Sequence, residues 1–185
     1  MDAIWEGLVT AWKLLSSGDP EMLRVTLLTL RVSGTATLFS LLLGVPLGVF
    51  LALKGFHGRQ LAVSLVNTGM GLPPTVVGLW VSLFLFRYGP LGFLHIMYTP
   101  AAMILAQAVI ATPLVTGFTM AGIQQLNPKL RVQILALGAS RWQLWRLLII
   151  EARLAILAAV IAGFGGVISE VGASMMVGGN VMGQT

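Results

Sequence analysis

Residues 136–148 read ALGASRWQLWRLL, a short basic and aromatic stretch that carries Arg141, Trp142, Trp145 and Arg146 between two long apolar regions. Local signals divide it. Ser140 and Gln143 stand three apart, the spacing of a capping box in which each side chain satisfies a backbone amide of the other. A helix is therefore predicted to begin at Ser140. Gly138 precedes it and suits the left-handed residue that closes a helix. Upstream, Asn127-Pro128 pairs a capping side chain with a proline at the first helical position, where no amide hydrogen is wasted. The stretch 127–152 thus reads as a short helix, a glycine turn, and a second helix running as a rigid lever straight into the last apolar run. Arg141 and Arg146 suit the anionic inner leaflet of a membrane, and equally a protein partner docked there.

The runs on either side set the fold class. Of 185 residues, 57% are hydrophobic and 9% charged, against about 25% charged in a soluble domain. Uncharged runs cover residues 32–53, 60–86, 96–128 and 154–169, the last extendable back to about 147. A spanning helix needs roughly 20 apolar residues. An all-α membrane protein follows, with spans at about 25–53, 61–86, 100–122 and 147–169 and a linking segment at 127–146. Asp19-Pro20 and Thr99-Pro100 mark further helix starts. Asp2 and Glu6 do not fit the basic start of a cleaved signal peptide. The net charge of +5 is spread between the spans and not over one basic face, which argues against nucleic acid. There is no cysteine, so disulfides and thiolate chemistry are out.

Lysine and arginine orient the chain. Lys54 and Arg59 follow the first run, Arg87 alone follows the second, and Lys129, Arg131, Arg141 and Arg146 lie between the third and fourth. By the positive-inside rule the loops at 54–59 and 128–146 are cytoplasmic. Residues 1–21, the N-terminal segment, are then extracytoplasmic, and so is the tail after the fourth span. The spans are not uniformly greasy. Pro73 and Pro74 sit at the middle of the second run beside Gly71 and Thr75, Pro113 at the middle of the third, and Pro46 toward the end of the first. A proline breaks the helical ladder, and in lipid such a break survives only against protein or a water-filled cavity. One proline reads equally as a packing kink. Two together in mid-membrane point to a transport path, so Pro73, Pro74 and Thr75 are path candidates.

Ser169, Glu170 and Gly172 at the far end of the fourth span complete that set. An acid at the bilayer is costly and functional by default, or else interfacial. If functional, Glu170 is either a gate held by hydrogen bonds or a cation, with Arg31 the nearest candidate, or a protonated donor in a dry site. Ser40, Asn67, Thr112 and Thr116 either line the path or bond to their own helix backbone. Glu151 and Arg153 read as interfacial charges, and His95 as a lone loop residue.

No phosphate-binding glycine loop, paired metal-ligand histidines or nucleophile elbow is present. A pump built on this chain draws its energy from a partner or a gradient. A gradient-driven carrier or channel for a small anion would need titratable groups within the spans, and only Glu170 is available. An intramembrane enzyme would need a catalytic pair.

Several motifs resemble a known family. ALGASRWQLWRLLIIEARLAILAAVIAGF (136–164) looks like the cytoplasmic signature loop of type I ABC importer permeases, with Gly138 at its glycine. Val132, Gln133 and Ile134 replace its Glu-Ala-Ala, and Glu151 its proline. GLPPTVVGL (71–79) and TLRVSGTATLFSLLLGVPLGVFLAL (29–53) resemble molybdate and tungstate permeases, and ISEVGASMMVGGN (168–180) the tungstate type in particular. The resemblance covers roughly residues 20–180. It implies a helix bundle with a cytoplasmic coupling helix, in which Leu135, Ala136, Gly138, Ala139, Ser140 and Arg141 receive the stroke of an ABC ATPase. ATP and Mg would sit on that partner, with no cofactor on this chain. It further implies a second copy of the permease, an extracytoplasmic oxyanion-binding protein, and a bacterial or archaeal plasma membrane. One more membrane helix is expected after residue 180, which the sequence to Thr185 would lack.

Overall fold

The computed structural model describes residues 5–7, 9–10, 18, 20–179 and 181. Its elements are α1 (Pro20–Leu53), α2 (Arg59–Gly71), α3 (Pro74–Leu85), α4 (Pro100–Gln125), α5 (Pro128–Ala136), α6 (Arg141–Glu151), α7 (Arg153–Ile168) and α8 (Gly172–Gly178), with a 3-10 turn at Gly92–Leu94. No strand occurs among the described residues. Helix α1 starts at Pro20 as expected, while the capping role given to Asp19 lies outside the described residues. Helices α1 and α4 are each long and apolar enough to cross a membrane. The pairs α2–α3 and α6–α7 also qualify, but only as spans bent by 105° and 69°.

The bundle is built inside out relative to a soluble protein. Helix α1 buries Ser33, Ala36, Thr37, Ser40, Gly44 and Gly48 and turns Leu38, Leu42, Leu43 and Leu47 outward. Lipid is as apolar as leucine, so close backbone approach along small residues, and not leucine burial, joins helices in a bilayer. The approach to α4 is tight: a Cβ on Gly48 would stand 2.7 Å from the Thr116 carbonyl oxygen. Along the same seam the Ser40 hydroxyl lies within hydrogen-bond distance of its own-helix Ala36 carbonyl (2.8 Å) and of the Ala108 carbonyl of α4 (3.2 Å). Thr112 and Thr116 donate to their own helix, and Asn67 is exposed.

Pro46 and Pro113 do not interrupt the chain as their position suggested. Both sit inside continuous helices. Pro113 presses on α2, where a Cβ on Gly69 would meet its ring at 2.8 Å, so a neighbouring helix covers the locally broken ladder.

Two apolar clusters hold opposite ends of α4. At its C-terminal end, Val49 and Ile123 pack with Ile134 of α5, Leu144 and Leu148 of α6, and Ala152. At its N-terminal end, Ala102 and Ala106 pack with Val77, Val81 and Leu85 of α3 and with Ala173 and Val177 of α8. A 26-residue helix is roughly 39 Å long, and the two clusters hold its opposite halves.

The straight lever expected from Ser140 into the fourth span is replaced by a turn at Ala152. The 69° bend between α6 and α7 lets α6 lay Leu144 and Leu148 across the end of the bundle. Glu151 and Arg153, the charges flanking the turn, stay exposed.

Candidate functional site: paired helix breaks and a coupling turn

The two groups of path candidates meet. The chain leaves α2 at Leu72, passes Pro73 in extended conformation (φ −58°, ψ 130°), and restarts α3 with Pro74 at its first position. Here the double proline starts a helix: the Val76 and Val77 amides both reach the Pro73 carbonyl, at 2.9 and 3.3 Å. The second break falls between α7 and α8, at Ser169–Val171. The Ser169 hydroxyl closes α7 by turning back to the Gly165 carbonyl at 2.9 Å. The breaks touch through Thr75 and Gly172, where a Cβ on Gly172 would lie 2.9 Å from Thr75 Cγ2. One turn further on, a Cβ on Gly78 would lie 2.6 Å from Ala173 Cα.

Glu170 stands in the second break, half-buried, and caps α8. Its Oε1 accepts the Ala173 amide at 2.8 Å, and its carbonyl accepts the Ser174 hydroxyl at 3.1 Å. The pairing with Arg31 is not formed. Arg31 lies on an exposed face of α1, and the carboxylate turns to backbone instead.

Glu170 lies at the end of α8 away from the contact with α4's first turn. The Tyr98 amide donates to the Val177 carbonyl at 2.9 Å, which ties the end of α8 to the start of α4. Glu170 is seven residues back from Val177, roughly 10 Å inward at helical rise. Two helix breaks meeting between apolar helices bring polar groups together where lipid alone could not satisfy them. Pro73 and Thr75 are exposed, Pro74 and Gly172 half-buried, and Ser169 exposed.

Neither motif reading nor charge singled out Gln107, yet it is the polar side chain most enclosed beside Glu170, at 3% exposure. Its Nε2 donates to Ser174 Oγ at 3.1 Å, while its Oε1 has no partner. Glu170, Gln107, Ser174 and Thr29 together line a cavity of about 190 Å³. The available signal was a lone amide in the first half of an apolar run.

At the opposite end of α4 lies the turn to which the resemblance gives the coupling role. Asn127 caps α5 by accepting the Lys129 amide, and Ser140 and Gln143 form the full capping box of α6. Gly138 takes φ +82° with nothing within 4 Å of a Cβ placed there. That left-handed turn separates α5 from α6. Leu135, Ala136, Gly138, Ser140 and Arg141 are exposed and Ala139 is half-buried. Leu137, 88% exposed, projects beside them. Gly138, Ala139, Gln143, Arg146 and Leu147 flank an open groove of about 510 Å³.

Comparison with known proteins fits this arrangement. Residues 44–185 match the family described as binding-protein-dependent transport system inner membrane component. The chain is 38% identical over its whole length to the tungstate uptake system permease protein TupB of Peptoclostridium acidaminophilum, covering 81% of that protein. It is 37% identical to a probable anion ABC transporter permease protein of Haloferax volcanii, over 87% of this chain and 69% of that one. It is 28% identical to the molybdenum transport system permease protein ModB of Haemophilus influenzae, over 85% of this chain and 72% of that one. With its long apolar helices and this match over residues 44–185, the chain belongs to the inner membrane components of binding-protein-dependent transport systems.

Proposed function

We propose that this chain is the membrane-spanning subunit of an ATP-driven importer for a tetrahedral oxyanion, tungstate or its near-isosteric relative molybdate. The observation that carries the reading is the meeting of two helix breaks, at Pro73–Thr75 and Ser169–Gly172, roughly 10 Å inside the bundle and at the far end of α4 from the coupling turn. Whole-length similarity to a permease named for tungstate uptake supports the choice of anion. The exposed turn at Leu135–Arg141 receives a cytoplasmic ATPase, and the loop charges argue for an outward N-terminus and an outward Tyr98 end of α4. ATP and Mg belong to that partner. A separate extracytoplasmic protein delivers the anion. Two copies of this chain related by a two-fold axis enclose the path, because Pro73, Thr75 and Ser169 at the breaks lie exposed in one copy and so few spans cannot surround an anion alone.

The test is reconstitution of the full complex in proteoliposomes, with uptake of labelled tungstate, molybdate and sulfate measured at limiting concentration. ATP-dependent uptake of tungstate or molybdate in preference to sulfate is expected. Uptake that runs without ATP on an imposed ion gradient would overturn the reading in favour of a secondary carrier.

A further inference from the structure

The 69° turn at Ala152 raises a mechanical question. A stroke delivered to α5 and α6 cannot be pushed straight up α7. The connections leading out of the coupling turn point elsewhere. Arg131 of α5 donates through Nη1 to the Leu53 carbonyl, the last residue of α1, at 3.0 Å. Arg59 of α2 donates through Nε to the Leu51 carbonyl at 2.8 Å. The last carbonyls of a helix have no donor within it and carry the negative end of its dipole. Two guanidinium groups from two different helices therefore hold the end of α1. Apolar packing acts at the same place, since Val49 of α1 shares one cluster with Ile134, Leu144 and Leu148.

From there the route is stiff. Helices α1 and α4 are joined along the Gly44–Gly48 seam, where no Cβ fits between them, so they move as one body. At the other end of α4, Gln107 reaches α8 through Ser174, and Ser174 in turn bonds the Glu170 carbonyl. The amide of Gln107 presents a donor that is used and an acceptor, Oε1, that is not. A small slide of α4 past α8 would let the Ser174 hydroxyl leave the Glu170 carbonyl and donate to Oε1 instead. Such an exchange gives two discrete arrangements, which a transmitted displacement requires.

We propose that the stroke received at the coupling turn reaches the break at Glu170 along the α1–α4 pair. Arg131 and Gln107 are the positioning residues at its two ends. The inference rests on the permease reading above.

The experiment uses the complete complex of permease, ATPase and binding protein in proteoliposomes and reads tungstate taken up per ATP hydrolysed. Arg131→Gln and Gln107→Leu are each expected to lower that ratio by about threefold or more. The ATPase should still copurify at parental stoichiometry, and Arg131→Lys should restore most of the loss. Because both residues serve one route, the double variant should couple no worse than the poorer single one. Should Gln107→Leu not assemble, Ser174→Ala removes the same bond. Parental coupling in either single variant overturns the route, as does a double variant whose loss is the product of the two. If the parent complex moves neither tungstate nor molybdate, the reading of function fails, which is a different result from a coupled parent with unaffected variants.

Discussion

Gly78→Ala tests whether the contact between the two helix breaks governs the outer gate. The added Cβ would fall 2.6 Å from Ala173 Cα, against 3.4 Å for ordinary contact. The shortfall is about 0.8 Å, and neither atom belongs to a flexible side chain that could step aside. Helix α8 must move off α3 by that much. Ser174 on the same helix is bonded to Gln107 at 3.1 Å, a geometry that cannot survive such a shift unchanged. Overpacking of this kind costs about 1–3 kcal/mol, and loss of that hydrogen bond about 1 more. The gate should loosen while the bundle, whose α1–α4 seam is untouched, stays folded. The chain has no cysteine, so Val177→Cys supplies a single probe at a site that is fully buried on α8. In the parent background the thiol should resist a maleimide. With Gly78→Ala added it should label, and uptake per ATP should fall. A thiol that stays protected, together with parental uptake, would refute the argument.

Three further outcomes are expected. Gly138→Trp leaves helix content unchanged by circular dichroism but separates ATP hydrolysis from uptake, because a side chain at φ +82° costs about 1–2 kcal/mol and fills the groove beside the turn; full uptake would show that the turn is not the coupling point. Ser140→Ala removes the Gln143 amide's acceptor, costs about 0.5–2 kcal/mol, and should speed hydrogen exchange in the first turn of α6; unchanged protection there would contradict the capping box. Glu170→Gln keeps an oxygen for the Ala173 amide and should preserve α8 while changing the rate of anion passage, whereas Glu170→Ala should also fray α8; parental transport in both variants would remove Glu170 from the path.

Much of the architecture was legible because lipid simplifies the code. With apolar surface no longer a guide to inside and outside, run length locates the spans, and caps and prolines locate the ends. Ser140 with Gln143 and Asn127 with Pro128 behave as their local chemistry dictates, since a capping box is a contact among residues four apart at most. Thr99 marks a start correctly but by another bond: its hydroxyl donates back to the Ile96 carbonyl at 2.6 Å and does not accept from α4.

The breaks show where local reading ends. Pro73-Pro74 announces itself, because proline cannot continue a helix whatever surrounds it. Pro46 and Pro113 sit inside continuous helices instead, Pro113 with α2 packed over it. The turn at Ala152 and the break at Ser169–Val171 contain no proline at all. The first exists because Leu144 and Leu148 find a cluster across the end of the bundle, the second because the Glu170 carboxylate caps a new helix. Both causes are tertiary or depend on a side chain's choice of partner. The same holds for Glu170 itself, since charge alone suggested Arg31 and geometry supplied the Ala173 amide. Its depth follows only once Tyr98 is seen to hold the Val177 carbonyl. Gln107 was overlooked for the opposite reason: one neutral amide barely lowers the hydropathy of its run. Its weight comes from being enclosed, half-satisfied, and bonded to the segment that carries the acid.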